Sequence, residues 1–223
     1  MPRIARVVAV GYPHHITQRG NYGQTVFLSD EDRKIYCTWI NKYSDKYGLS
    51  LLADCLMPNH VHFIGIPEKE NSLAKTFNAV HMRYAQYYNE KMKTKGHLWQ
   101  GRFYSCPLDE DHFIAATRYI ERNPVRAQLV KKPWQWKWSS ASAHIGISDV
   151  EILKLKNIFE IIDMQHSTWK SFIDTEDNGK EMKNIKKFTL TGRPLGKECF
   201  IKSLEEKFGK RLQALPRGRP IKT

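Results

Sequence analysis

Residues 49–67 read LSLLADCLMPNHVHFIGIP. Two runs rich in Leu, Ile, Val and Phe are joined at Pro58-Asn59, a pair that favours a tight turn. The stretch therefore reads as a strand hairpin, and two imidazoles in its second run call for an explanation. Side chains two apart on a strand point to the same face. His60 and His62 project together, and Val61 and Phe63 face the opposite layer.

Working outward, residues 4–18, IARVVAVGYPHHITQ, read as a strand bent at Gly11 or Pro13, and RGNYGQ as a loop of turn formers. Residues 30–47 open with acids, repeat apolar groups at Ile35, Trp39, Ile40 and Tyr43, and close at Gly48, which is helical spacing. A second helix is expected over 72–94, with Leu73, Phe77, Val80, His81, Tyr84 and Tyr88 on one stripe. HLWQGRFYS then reads as a fourth strand. The order strand, helix, strand, strand, helix, strand is that of a split βαβ, ferredoxin-like or RRM-like α+β fold: an antiparallel sheet with its helices on one face. Beyond it, DEDHFIAATRYIERN runs helically to Asn123, and Pro124 is suited to begin a new turn. KKPWQWKW is aromatic and basic, and its three tryptophans read more readily as a cap on a core than as a DNA contact. One or two amphipathic helices are expected over 149–172. A polar linker follows near 174–181, then a short helix near 197–209 and a basic end.

The chain has 223 residues and a formal charge of +13, of which residues 180–223 carry +9. Such a chain favours a polyanionic partner, nucleic acid first. The four cysteines are scattered without a C-x-x-C pair, which argues against a zinc knuckle or a disulfide framework. With no apolar run long enough to span a membrane and no cleavable signal pattern, the reading is a soluble protein of the reducing cytoplasm.

Two imidazoles on one strand edge are a natural chelate for a divalent metal. The alternative is two half-exposed histidines on a sheet face. In RYIERN, Tyr119 and Asn123 lie four apart and share a helix face. A carboxamide oxygen can ligate a metal, and a phenol beside it can attack a phosphate held there. The alternative makes Tyr119 a core residue and Asn123 a helix stop.

His60-Val61-His62 resembles the His-hydrophobe-His signature of the HUH endonuclease superfamily. MPNHVHFIGIP, HLWQGRFYS and YIERNPVRAQLV resemble, in order and spacing, the single-tyrosine transposases of small bacterial insertion sequences, and above all their domesticated REP-associated branch. The likeness covers residues 1–145 strongly, SSASAH among them, and the basic tail with TGRPLG more loosely. It implies a catalytic domain over 1–145 and a helical extension with a basic DNA-binding tail over 146–223. It implies cleavage and rejoining of single-stranded, hairpin-containing DNA of the repetitive extragenic palindrome type, in the bacterial nucleoid. By match to the motif, His60 and His62 would ligate Mg²⁺ or Mn²⁺, and Tyr119 would form a 5′-phosphotyrosine link. Asn123 would be the third ligand. Many insertion-sequence relatives carry Gln there, which leaves open whether the shorter Asn123 binds directly or through water. Insertion-sequence relatives share their sites in dimers, while the REP-associated branch looks more monomeric, so monomer and homodimer both stay open.

Candidate DNA contacts are Arg19, Arg102, Arg122, Arg126, Arg193, Arg217 and Arg219. Trp99 and Phe103 are candidate base stackers, and His14, His15 and Asn21 candidate site residues. PRGRP at 216–220 matches the core of an AT-hook, in which arginines enter a narrow minor groove. Two other readings compete: a repressor on the same scaffold that has lost catalysis, and a hydrolase of small phosphate esters. Retention of His60, His62, Tyr119 and Asn123 together argues against the first. The +9 tail and the lack of further acidic ligands argue against the second.

Overall fold

A computed structural model of the chain describes residues 6–147 and 152–213. Strands β1 (His14–Arg19), β2 (Leu49–Met57), β3 (His60–Pro67) and β4 (Tyr104–Pro107) form one antiparallel sheet in the order β2-β3-β1-β4. Helix α1 (Asp30–Tyr47) connects β1 to β2, and α2 (Ser72–Met92) connects β3 to β4. This is the expected ferredoxin-like plan.

Local signals fix α1 at both ends. The Ser29 hydroxyl accepts from the Asp32 N–H, the Asp32 carboxylate accepts from the Ser29 N–H, and Gly48 closes the helix in the left-handed region at φ 65°. A capping side chain of this kind stabilises a helix by about 1 kcal/mol. Helices α1 and α2 cover one sheet face, where Tyr36, Ile40, Phe77 and Val80 pack on Ile16, Val61 and Phe63. Full burial contributes roughly 1.5–3 kcal/mol for each such aliphatic or Phe side chain.

The second face is covered too. Helix α3 (Glu110–Glu121), the single turns α4 (Asn123–Arg126) and α5 (Ala141–His144), and helices α6 (His166–Asp174) and α7 (Gly179–Thr191) follow β4. Phe113, Ile120, Trp169 and Ile185 from them close on Leu52, Ile64 and Cys106 of the sheet. Helices on one face thus describes α1 and α2 only. The reason lies in β2, whose residues after Ser50 are all buried; a strand apolar at successive positions needs cover on both sides. The helices after residue 145 share this core with the sheet.

Three further expectations change. The strand expected over 4–18 is interrupted where Gly11 turns the chain at φ 84°, so β1 begins only at His14. The fourth strand is confined to Tyr104–Pro107, because Gly101 at φ 86° breaks the extended run before it. The linker near 174–181 is instead a short, tied connection: Asn178 accepts from the N–H groups of Lys180 and Glu181 and starts α7, which the sequence reading did not anticipate. Helix α8 (Glu198–Phe208) lies where a short helix was expected, and Phe200 and Leu204 pack on Val7 and Ala9. Of the expected helices over 149–172, α6 and a 3-10 turn at Ile158–Glu160 form. The tryptophans serve the core: Trp136 Nε1 donates to the Leu56 carbonyl, and Trp138, itself buried, donates to Asp30.

Candidate active site

The sheet register builds the floor of the site. Thr17 lies opposite His62 and Arg19 opposite His60, and on the other side Cys55 lies opposite His62. Residues directly opposite in an antiparallel pair project to the same face. That face carries His60 and His62, and α3 crosses it.

The end of α3 supplies the roof. The helix stops at Glu121, but Arg122 keeps near-helical angles (φ −84°, ψ −3°) and α4 continues with Pro124 in its first turn. Proline has no N–H to lose there. The four-residue spacing from Tyr119 to Asn123 therefore survives the end of the helix. Tyr119, Asn123, His60, His62 and Arg19 line one cavity of about 530 Å³, with His15 and Thr17 from β1 and Lys186 and Thr189 from α7. The ring centroids of His60 and His62 are 4.9 Å apart, and that of Tyr119 is 5.8 Å from His62 and 5.9 Å from His15.

Hydrogen bonds settle which nitrogen of His60 is free. Its Nδ1 lies 2.6 Å from Asn59 Oδ1. Asn59 Nδ2 donates to the Gly23 carbonyl, which fixes the amide orientation. An amide oxygen only accepts, so His60 Nδ1 carries the proton and Nε2 keeps its lone pair. His62 Nδ1 is likewise engaged, 2.8 Å from His15 Nε2. Neither Nε2 takes a hydrogen bond from the described residues. Burial, helped by Arg19 and Arg126, pulls His60 down to about 4, and burial pulls His62 well below the ordinary histidine range. Both rings are thus neutral, the form that ligates a cation.

The donor set fits a weakly held divalent metal. Two neutral imidazoles face the cavity, and among the described residues no group of three or more His, Cys, Asp or Glu gathers. The buried Asn123 Nδ2 has no partner among them either. A phosphate oxygen would meet that donor, and with the amide turned over its oxygen would meet a metal. Most of the coordination shell is left to substrate and water, as suits a metal that works on a phosphate.

Tyr119 is 6% exposed, and burial raises its pKa while Arg126 opposes the rise. The Arg126 guanidinium stacks 4.3 Å from the ring centroid and donates to the Tyr119 carbonyl. Asp177, in the connection before α7, accepts from Arg126 Nη1 at 3.2 Å and from Arg122 Nε at 2.9 Å.

The candidate cations separate. Arg19 is exposed at the cavity edge and Arg126 sits over the Tyr119 ring. Arg122 is a correction: it is buried, and its guanidinium donates to Asp177 and to the Ile173 carbonyl, so it ties down the chain after α6 rather than DNA. Arg118 does the same through the Phe172, Thr175 and Glu176 carbonyls. Arg102 lines a smaller cleft with Arg6, Ser105 and Thr191, outside the main cavity. Arg193 donates to the Leu212 carbonyl. Arg217 and Arg219 lie outside the described residues. The expected stackers are core: Trp99 donates to the His81 carbonyl, and Phe103 is buried. His14 is held internally by the Tyr12 carbonyl.

Sequence reasoning missed Lys186 and Thr189 on α7. The apolar stripe Met182, Ile185, Phe188 after a capping Asn178 was the available signal. It also missed Tyr22, 96% exposed at φ 52° on a turn beside Arg19.

Residues 10–123 match the family model described as transposase, IS200 like, a span that contains both histidines, Tyr119 and Asn123. The chain belongs to the IS200-like transposase family. This IS200-like transposase shares its fold with a REP-associated tyrosine transposase solved bound to a REP hairpin, with a TM-score of 0.53 and 19% identity over 71% of this chain and 93% of that one. A protein described as a transposase from Deinococcus radiodurans R1 is also 19% identical over 54% of this chain and 97% of that one, at a TM-score of 0.38. No curated protein matches the transposase. Among the described residues, no helix is long and apolar enough to cross a membrane.

Proposed function

We propose that this transposase cleaves and rejoins single-stranded, hairpin-containing DNA of the repetitive extragenic palindrome type through a 5′-phosphotyrosine intermediate. The observation that supports it is the convergence of Tyr119, His60, His62 and Asn123 on one cavity from a single chain. A site complete within one chain supports a monomer as the cutting unit. The bacterial nucleoid is where such a substrate is met.

In this reading the Tyr119 oxygen attacks the scissile phosphorus as the bond to the 3′ oxygen breaks. The phenolic proton leaves to solvent and the 3′ oxygen takes one up. The chemistry that Mg²⁺ or Mn²⁺ would supply when bound is polarisation of the phosphate, offsetting the charge that develops on it. The Nε2 atoms of His60 and His62 would hold that cation, with the carboxamide of Asn123 joining them directly or through water, and nitrogen donors suit Mn²⁺ better than Mg²⁺. Arg126 stabilises the phenolate as it forms. Because the phosphotyrosine keeps the energy of the bond it replaces, a 3′-hydroxyl reseals the strand without a further energy source. Arg19 at the rim and the cations of the tail, Arg193, Arg217 and Arg219 among them, contribute phosphate contacts.

The deciding experiment incubates the protein with a 3′-labelled DNA hairpin and Mn²⁺, then separates products under denaturing conditions. A DNA-linked protein whose adduct maps to Tyr119 is expected. Binding without any adduct, at every metal concentration tried, leaves the repressor reading in its place.

A further inference from the structure

Helix α7 lies against β4 and β1 and touches His15, behind His62, through one side chain. Thr189 is buried, and its hydroxyl is 2.7 Å from the Ile185 carbonyl and 2.7 Å from His15 Nδ1. A hydroxyl has one proton, and a carbonyl can only accept. The Thr189 proton therefore goes to Ile185, and the Thr189 oxygen accepts from His15 Nδ1–H. The His15 ring is buried with only Thr189 and His62 as hydrogen-bond partners among the described residues, so it is neutral and has a lone pair on Nε2, and that nitrogen lies 2.8 Å from His62 Nδ1. His62 must be the donor there, so its own lone pair is left on Nε2, the nitrogen that takes no hydrogen bond among the described residues. The rings of His15 and His62 are nearly coplanar, with centroids 5.1 Å apart and an interplanar angle of 11°, as an in-plane hydrogen bond between their edges requires.

We propose that Thr189 and His15 are positioning residues for His62: a relay from the Ile185 carbonyl selects the tautomer in which His62 presents Nε2 to a metal. His60 has its own local device in Asn59. His62 instead depends on a helix far along the chain. This rests on the reading of His62 as a metal ligand. Groups that orient a ligating histidine in this way change metal affinity by roughly 10- to 100-fold when removed.

The test compares wild type with Thr189→Val and Thr189→Ser. Valine has the same shape but no acceptor; serine restores the oxygen. Two measurements are made on the full chain: histidine tautomers from long-range ¹H–¹⁵N spectra of the metal-free protein, and Mn²⁺ affinity by electron paramagnetic resonance. Wild type and Thr189→Ser are expected to hold His62 with its proton on Nδ1. Thr189→Val is expected to lose that preference and to bind Mn²⁺ about 10- to 100-fold more weakly. His15→Phe, which removes the acceptor for His62, is expected to do the same, and it stands in if the valine variant does not fold. An unchanged tautomer and affinity in Thr189→Val overturns the proposal, as does an equal loss in Thr189→Ser, which would mean that packing alone is at stake. Should wild type bind no Mn²⁺, the proposed chemistry fails, while the tautomers of the metal-free protein still decide the relay.

Discussion

The guanidinium of Arg126 lies over the ring of Tyr119, 4.3 Å from its centroid, and Asp177 holds it there. A cation in this place opposes the rise that burial imposes on the Tyr119 pKa. Removing it by Arg126→Gln raises the phenol further. Single-turnover cleavage is expected to fall by about tenfold or more, a factor that corresponds to one pKa unit, and the alkaline rise of its pH–rate profile to move to higher pH. A profile that keeps its position would assign Arg126 to DNA binding alone.

Tyr119→Phe deletes one oxygen from a buried ring. The covalent adduct with hairpin DNA is expected to vanish on denaturing gels, while hairpin affinity in a filter assay stays close to that of wild type. Persistence of the adduct would place the nucleophile elsewhere.

The two strand histidines are expected to differ in stability and agree in chemistry. His60→Ala and His62→Ala should both lose cleavage at Mn²⁺ concentrations that serve wild type. His60 is half-buried and its loss should leave the melting temperature nearly unchanged. His62 is buried, and its loss strands His15 Nε2, at a cost of about 1–3 kcal/mol in urea unfolding. Wild-type cleavage by either variant contradicts the metal reading.

The sequence made the catalytic half legible because its signals are local. A strand alternation places His60 with His62, a helical repeat places Tyr119 with Asn123, and an acidic cap marks the start of α1. The resemblance then joined those pieces. The connection before α7 was illegible for the opposite reason. Its polar residues look like solvated linker, and only the fold reveals that Arg118, Arg122 and Arg126 reach across to Thr175, Glu176 and Asp177. An arginine on a helix reads the same whether its partner is a phosphate or an internal carboxylate.

That connection changes what the tail should do. Truncation after residue 180 removes Ile185 and Thr189, uncovers His15 and Cys106, and is expected to abolish cleavage and lower thermal stability. Truncation after residue 213 removes only residues beyond those described here, with Arg217, Arg219 and Lys222 among them. It is expected to preserve cleavage at saturating DNA and to flatten the slope of log K against log salt by about 2 to 3. Equal slopes would mean that those cations touch no phosphate.

Asp54 offers a pH signature independent of catalysis. Burial, then the nearby Glu121, raises its pKa to about 8. A carboxyl with a raised folded pKa is protonated in the native state and ionised in the unfolded one between about pH 4 and pH 8. The unfolded state therefore binds fewer protons, and this group makes stability fall as pH rises through that window. Asp54→Asn should melt at a higher temperature than wild type at pH 8, with the gap narrowing towards pH 4. A constant gap would place the effect in packing.

The hydrogen bond between His15 and Thr189 joins positions 174 apart in the chain. During synthesis, β1 leaves the ribosome long before α7 exists. A nascent chain that has released everything through Asn123 already carries Tyr119 and both histidines, yet lacks the helix that closes on them. In the proposed function the site therefore becomes competent only once α7 has been made rather than when its motifs emerge, and a shorter nascent chain would hold the proposed cutting residues without the means to aim them.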